Sequence, residues 1–283
     1  MKVCVDLGAT NIKSGLVKGE TLLKVASTPT DTSHGLQGIV ASLKGAIDPF
    51  MSEEVRAVCV SSAGKIDEKT GKVIFATENL PEYTGFDICG FIKQTYGLPS
   101  VAINDGLAAL LGEIAITEEY KTKRMVMLTF GSGVGGAYAV NGEIKADESN
   151  DHAHFGHYII EENGLACNCG KRGCAEQYLS GRAINRFAAE AGIEKDRIFA
   201  YVAAGDERAQ AIFLRLKGYL VKTLAKIQET SPFDICLLGG GVVDGMGDTL
   251  EEFAAGLGYD VRRAKAGNAA GMLGANYFGR SLL

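Results

Sequence analysis

The longest uninterrupted apolar run in the chain is seven residues, Ile198 to Ala204, far short of the roughly 18 that a bilayer-crossing helix needs. A membrane span is excluded on that ground. Excess charge of either sign is also missing: 29 Lys and Arg against 34 Asp and Glu leave a net charge of −5, and the pI is about 5.5. Nucleic-acid-binding domains concentrate Lys and Arg on one face and carry a high pI, so nucleic acid is set aside as a partner. Tryptophan is absent and proline occurs only five times, and no linker or low-complexity segment interrupts the chain. With 46% hydrophobic and 22% charged residues over 283 positions, disorder and small stapled scaffolds are excluded. The length suits two domains, or one large α/β unit with an inserted lobe. The start, Met1-Lys2-Val3-Cys4-Val5-Asp6, puts an acid where a signal peptide still needs apolar residues. The N-terminus is therefore expected to belong to the fold, and the protein to be cytoplasmic.

Seven cysteines is an odd number. Cys4, Cys59, Cys89 and Cys236 each stand alone in an apolar stretch, the setting of a buried free thiol. Cys167, Cys169 and Cys174 instead crowd together among glycines and charged groups, with His152, His154 and His157 just upstream. That crowding asks for a chemical cause.

Glycine is plentiful, at 37 residues, and most of it punctuates short apolar strands. Residues 3 to 17, VCVDLGATNIKSGLV, align without a gap on residues 126 to 140, VMLTFGSGVGGAYAV, superimposing Gly8 on Gly131. Each copy reads as strand, glycine turn, strand, with Asp6 or Thr129 delivered into the turn. Such a turn bares backbone N–H groups that can cradle phosphate oxygens; a plain hairpin is the other reading of either copy alone. Between the copies, Leu36, Ile39, Val40, Leu43 and Ile47 follow helical spacing, while Val55 to Val60 and Ser100 to Ile103 are short β-branched runs. Beyond the cysteines, Ile212, Phe213, Leu216, Leu220, Leu224 and Ile227 make one apolar helical stripe behind the acidic start Asp206-Glu207. A strand over Asp234 to Leu238 then runs into Gly239-Gly240-Gly241. The layout predicts two α/β lobes, each opened by a β-hairpin, with a cleft between them. The first would take residues 1–108, rejoined by a C-terminal helix over 270–283, and the second residues 109–269.

Several elements occur in a fixed order: Asp6-Leu7-Gly8-Ala9-Thr10-Asn11, Asn104-Asp105-Gly106, Gly131-Ser132-Gly133-Val134-Gly135-Gly136, His157, the run from Cys167 to Glu176, and Leu237-Leu238-Gly239-Gly240-Gly241-Val242. With these, the sequence resembles the ROK family of sugar kinases and sugar-responsive repressors over essentially its whole length. The resemblance implies a two-lobed actin-like ATPase (ribonuclease H-like) α/β fold with an interlobe cleft. Its most specific element is the Gly-His pair followed by Cys-x-Cys-Gly-x-x-Gly-Cys-x-Glu, a combination that neither a hairpin nor a nucleotide loop requires.

The chemistry of that cluster agrees with the resemblance. Cys167, Cys169, Cys174 and His157 supply four soft ligands for tetrahedral Zn²⁺, and a closed four-ligand shell implies a structural ion that fixes the loop around residues 147 to 176. Redox-active thiols are the alternative. Family members usually carry a Glu three residues before the zinc His, where it touches the sugar; here that place is His154. An imidazole donates one hydrogen bond and accepts one, but it cannot serve two hydroxyls as a carboxylate does.

By itself, an Asp opening the apolar helix Gly106 to Leu111 reads as an N-cap. The resemblance instead makes Asp105 the catalytic base, taking the proton of a sugar hydroxyl as it attacks the γ-phosphoryl group of ATP. It places Asn104 beside neighbouring hydroxyls and completes the sugar site with Gly64, Asn79, His154, His157 and Glu176. On the nucleotide side it implies Asp6 for Mg²⁺, through water, with Gly8, Thr10, Asn11 and the Gly131-Ser132-Gly133 turn at the phosphates. Gly239, Gly240 and Gly241 would let an adenosine lie on the backbone. Lys13 has the charge for a phosphate, or stands in solvent.

The activity so implied is an ATP-dependent kinase acting on an aldohexose or N-acetylhexosamine at its 6-hydroxyl, in a cytoplasmic homodimer. A catalytically weak or inactive sugar-binding or regulatory member of the family is the second reading. Repressors of the family carry a helix-turn-helix segment before the kinase-like part, and a first strand expected from residue 2 leaves no room for one.

Overall fold

The computed structural model describes residues 1–145 and 154–282. The chain divides into two compact units, Met1–Lys121 with the segment from Ala266 onward, and Thr122–Lys265. The boundary expected at 108/109 falls inside a continuous helix, Asp105–Ile116, which is why the division lies further along the chain.

In the first unit, β1 (Lys2–Leu7), β2 (Asn11–Lys18) and β3 (Thr21–Pro29) form an antiparallel meander. Helix α1 (Gly35–Ile47) buries Ile39, Leu43 and Ile47 and returns the chain to β4 (Ala57–Ser62), parallel to β1. A small hairpin, β5 (Lys65–Asp67) and β6 (Lys72–Phe75), and helix α2 (Ile88–Tyr96) precede β7 (Ser100–Asn104), which lies parallel to β4. The sheet order is β3-β2-β1-β4-β7. Strands β1 and β4 are central and almost wholly buried, so their middles, Val3-Cys4-Val5 and Ala57-Val58-Cys59-Val60, read as apolar runs without alternation. Helix α3 (Asp105–Ile116) leaves the end of β7 directly.

The second unit repeats this order. Strands β8 (Arg124–Phe130), β9 (Val134–Val140) and β10 (Glu143–Ile144) are antiparallel. The cysteine loop follows, then α4 (Glu176–Leu179), α5 (Gly181–Glu190), α6 (Ile198–Ala203) and α7 (Glu207–Thr230). Asp206 caps α7 by accepting from the N–H groups of Arg208 and Ala209, and all six residues of the apolar stripe are buried. Strand β11 (Ile235–Gly239) runs parallel to β8, followed by α8 (Gly241–Met246), α9 (Thr249–Ala254) and β12 (Val261–Arg263), parallel to β11. Its sheet, β10-β9-β8-β11-β12, has the strand order and directions of the first.

The internal repeat carries a gap that its sequence conceals. Leu7 pairs with Ile12 across four turn residues, whereas Phe130 pairs with Val134 across three. Glycines and small residues fit either length, so the gapless alignment slips by one after the turn. Ile12 corresponds to Val134, and Lys13 to Gly135.

In the first unit the C-terminal helix, Ala270–Phe278, meets α3 backbone to backbone. A Cβ on Gly274 would overlap the Ala108 carbonyl oxygen, and one on Gly112 the Ala270 carbonyl. Neither obstacle is a flexible side chain, so Gly274→Ala is expected to cost about 1–3 kcal/mol by overpacking. A thermal melt checks it: the midpoint should fall by several degrees, and an unchanged midpoint would mean the two helices part freely.

Candidate active site and metal cluster

Asn104, not Asp105, caps α3. Its backbone is extended and its Oδ1 accepts the N–H groups of Gly106 (2.9 Å) and Leu107 (3.2 Å). The amide nitrogen donates to Gly64 O (2.8 Å) and to Asp105 Oδ1 (2.9 Å). Both lone pairs and both hydrogens are thus used within the protein, so Asn104 is a holder of Asp105 in this state and presents no spare donor to a hydroxyl. Gly64 contributes its carbonyl at φ 102°, a conformation glycine adopts without strain.

Asp105 occupies the first helical position, with its side chain exposed to solvent. Besides Asn104, the Gly106 N–H donates to its Oδ1 (2.8 Å). The protein packed around this carboxyl raises its pKa to about 6; the Gly106 N–H opposes the shift, the charge of Asp6 adds to it, and Asn104 opposes it.

Asp6 ends near the first glycine turn, where Ser61 Oγ donates to its Oδ1 (2.8 Å). Burial raises its pKa, with Ser61 and then Lys13 pulling it down. Lys13, directly opposite on β2, is not a free solvated lysine: its Nζ donates to Asn268 Oδ1 (2.9 Å). Gly271, in the first turn of the C-terminal helix, lies so close that a Cβ there would overlap the Asp6 carboxylate. A partly buried carboxylate with a raised pKa suits a divalent cation that relieves its charge.

The turn itself is closed by the Gly8 N–H donating to Asn11 O (3.1 Å). Thr30 holds it from the end of β3, donating its N–H to Thr10 O (3.0 Å) and its hydroxyl to Gly8 O (2.7 Å). Thr10 and Asn11 are exposed. A pocket of about 500 Å³ is lined by Ala9, Thr10, Thr32, Glu78, Asn79 and Pro81, bringing the first turn and Asn79 to one surface.

In the second unit, the Gly131 N–H donates to Gly133 O (3.0 Å), the same closure over one residue fewer. Gly131 and Ser132 are exposed. Glu176, 7% exposed, accepts the Val134 N–H at Oε2 (3.1 Å) and Arg182 Nη2 at Oε1 (3.3 Å). The three glycines after β11 are not equivalent. Gly239 is buried beneath Met127 and Ala264, Gly240 has φ 91° against the Phe130 backbone, and only Gly241 is exposed. Gly239 thus packs against the core beneath the sheet, and Gly241 is the glycine of the three that faces solvent.

His157, Cys167, Cys169 and Cys174 come together with ligand atoms all within 4.8 Å of one another. His157 Nδ1 lies 3.7 Å from Cys167 Sγ, and Cys169 Sγ 3.6 Å from Cys174 Sγ. Gly170 and Gly173 take positive φ in the loop between them. Burial and then the neighbouring thiols push Cys174 up to about 12, as befits thiols too close to ionise together without a cation. This donor set fits Zn²⁺. With Nδ1 turned to the thiols, Nε2 is the ring nitrogen left for another partner. His154 is exposed, its ring perpendicular to that of His157 at 6.1 Å. His152 lies outside the described residues.

The sequence profile of the ROK family matches residues 2–281. N-acetylmannosamine kinase of Escherichia coli O1:K1 is 29% identical over 283 residues, covering 96% of this chain and 96% of that protein. A ROK hexokinase from Thermus thermophilus superposes with a TM-score of 0.80 at 27% identity, covering 98% of this chain and 96% of its own. A ROK family glucokinase from Streptomyces griseus, in complex with glucose and AMPPNP, gives 0.73 at 28% identity over 99% of each chain. The chain belongs to the ROK family, and its doubled sheet topology is that of the actin-like ATPase fold. No helix among the described residues is long and apolar enough to cross a membrane.

Sequence reasoning missed Thr30, Ser61, Arg182, Asn268 and Gly271. The last two reach Lys13 and Asp6 on the first hairpin from the far end of the chain and leave no local signal. For the metal cluster, elemental analysis after exhaustive dialysis should find close to one zinc per chain, and Cys169→Ser should lower both zinc content and melting temperature. A metal-free protein of full stability would leave the redox-thiol reading.

Proposed function

We propose that the protein is an ATP-dependent sugar kinase that transfers the γ-phosphoryl group to the 6-hydroxyl of an aldohexose or N-acetylhexosamine. The observation that carries the reading is Asp105, fixed by Asn104 at the start of α3 with its carboxyl accessible and its pKa raised to about 6. A carboxylate so tuned is ionised at neutral pH yet basic enough to take a hydroxyl proton late in phosphoryl transfer. Asp6 would hold Mg²⁺ through water, and the ion would supply charge neutralisation at the phosphates. Thr10, Asn11 and Lys13 on one turn, and Gly131, Ser132 and Gly133 on the other, would face those phosphates, with Gly240 and Gly241 near the adenosine. Asn79, His154, His157 through Nε2, and Glu176 would meet the sugar, with Gly64 supporting them through Asn104. Zn²⁺ on His157, Cys167, Cys169 and Cys174 would be structural, and the enzyme a cytoplasmic homodimer.

The 29% identity to an N-acetylmannosamine kinase makes N-acetylmannosamine the first sugar to assay, beside glucose and N-acetylglucosamine. A regulatory sugar-binding role is favoured only by His154 in the place of the family's Glu. ATP turnover across the panel decides between the two readings.

Asp105→Asn should lower kcat by at least about 10²-fold, and near-normal turnover would remove Asp105 from the chemistry. In the wild type, kcat/KM should be half-maximal near pH 6 and fall with acid, because protonation removes the base. The effect on stability has the opposite sense. A carboxyl whose pKa is raised from 3.8 to about 6 on folding stabilises the native state below 3.8 and loses that contribution as pH rises through 6. Asp105→Asn should therefore melt no lower than wild type at neutral pH.

His154 generates a separate expectation. A charge-assisted hydrogen bond is worth about 1.5–3 kcal/mol, so without the Glu the protein should be a poor glucose kinase. His154→Glu should raise kcat/KM for glucose relative to the native sugar, through KM more than kcat. A wild type with a low glucose KM, made worse by the change, would show that His154 is no impaired ligand.

A further inference from the structure

The second glycine turn is gripped at each of its positions by residues that directly follow the metal loop. The Gly181 N–H donates to Gly131 O (2.7 Å), and Arg182 Nε donates to Ser132 O (2.7 Å). A Cβ on Gly133 would overlap Glu176 Oε2, the same oxygen that accepts the Val134 N–H (3.1 Å). Arg182 Nη2 closes the ring on Glu176 Oε1 (3.3 Å). Thr30, which holds the first turn, is uncharged and acts from the end of β3; the sequence gives no hint that the second turn is held by an ion pair.

A trans peptide is planar, with its C=O and N–H pointing in opposite directions. Pinning Gly131 O on Gly181 therefore aims the Ser132 N–H away from the protein support, and pinning Ser132 O on Arg182 does the same for the Gly133 N–H. Two successive N–H groups directed outward form a concave anion cradle. We propose that Arg182 is a positioning residue for nucleotide binding: by holding the Ser132 carbonyl and the Glu176 carboxylate together it aims the Gly133 N–H at the triphosphate. The proposal rests on the kinase reading only for the identity of the anion. It also makes the Gly131–Gly133 turn depend on the chain that leaves Cys174, since Glu176 and Arg182 are the first charged residues after it.

The test is the dissociation constant of Mg²⁺·AMPPNP for the full-length protein by calorimetry, with melting curves as the control for folding. Loss of the hydrogen bonds in Arg182→Gln should weaken nucleotide binding by about fivefold or more. Arg182→Lys, which keeps the charge but lacks the two-pronged donor geometry, should fall between wild type and Arg182→Gln. Gly133→Ala should weaken the nucleotide similarly, and the double variant should be little worse than the worse single one, because both act on one turn. Unchanged nucleotide affinity in both Arg182 variants, or fully additive losses in the double variant as for direct contact with a phosphate, would overturn the proposal. A wild type that binds nucleotide but phosphorylates no sugar would remove the kinase reading and leave this one intact.

Discussion

One side-chain amide organises the first unit. Asn104 uses both lone pairs on the open end of α3 and both hydrogens on Gly64 and Asp105, so the β4 turn, the helix start and the candidate base share one anchor. The choice of residue matters. A carboxylate in the capping position accepts backbone N–H groups and becomes a weak base. With an amide taking the Leu107 N–H and sharing that of Gly106, Asp105 stands one residue along, on the helix proper, where the protein packed around its carboxyl outweighs the Gly106 N–H and keeps its pKa raised.

Electrostatics follow from this placement. Asp6 and Asp105 belong to the same unit, both have raised pKa values, and the charge of Asp6 is among the causes at Asp105. Local positive charge is limited, because Lys13 is drawn toward Asn268. Two carboxyls held above their ordinary pKa in one unit are a setting that a divalent cation with a nucleotide would relieve.

Much of the architecture was legible in the sequence, and the exceptions have physical causes. The doubled hairpin could be read because buried strands and glycine turns leave strong local patterns, and α7 because its stripe and acidic cap are contiguous. The metal cluster could be read because its ligands lie within one loop. The extra residue in the first turn could not, since Ala9, Thr10 and Asn11 align on Ser132 and Gly133 equally well in either register. Nor could the domain boundary, because α3 carries its apolar pattern straight through residue 108. At the site, positions with local signatures were found, while those supplied by distant backbone, such as Gly271 against Asp6, were not. That Gly239 is buried and Gly241 exposed could not be read either, because a glycine run looks alike whether it faces solvent or the packing beneath a sheet. Asn104 was found, but its hydrogen bonds turn inward and serve Asp105.

The register difference between the two turns makes the repeated scaffold chemically lopsided. Asp6 stands opposite Lys13 on the first hairpin, and Thr129 opposite Gly135 at the corresponding rungs of the second. One copy has kept an acid and a base across its ladder; its twin has neither and offers only peptide dipoles. A shared backbone shape thus supports a division of labour, in which one hairpin carries charged side chains across its own ladder, and the other borrows its charge from Glu176 and Arg182 outside the hairpin.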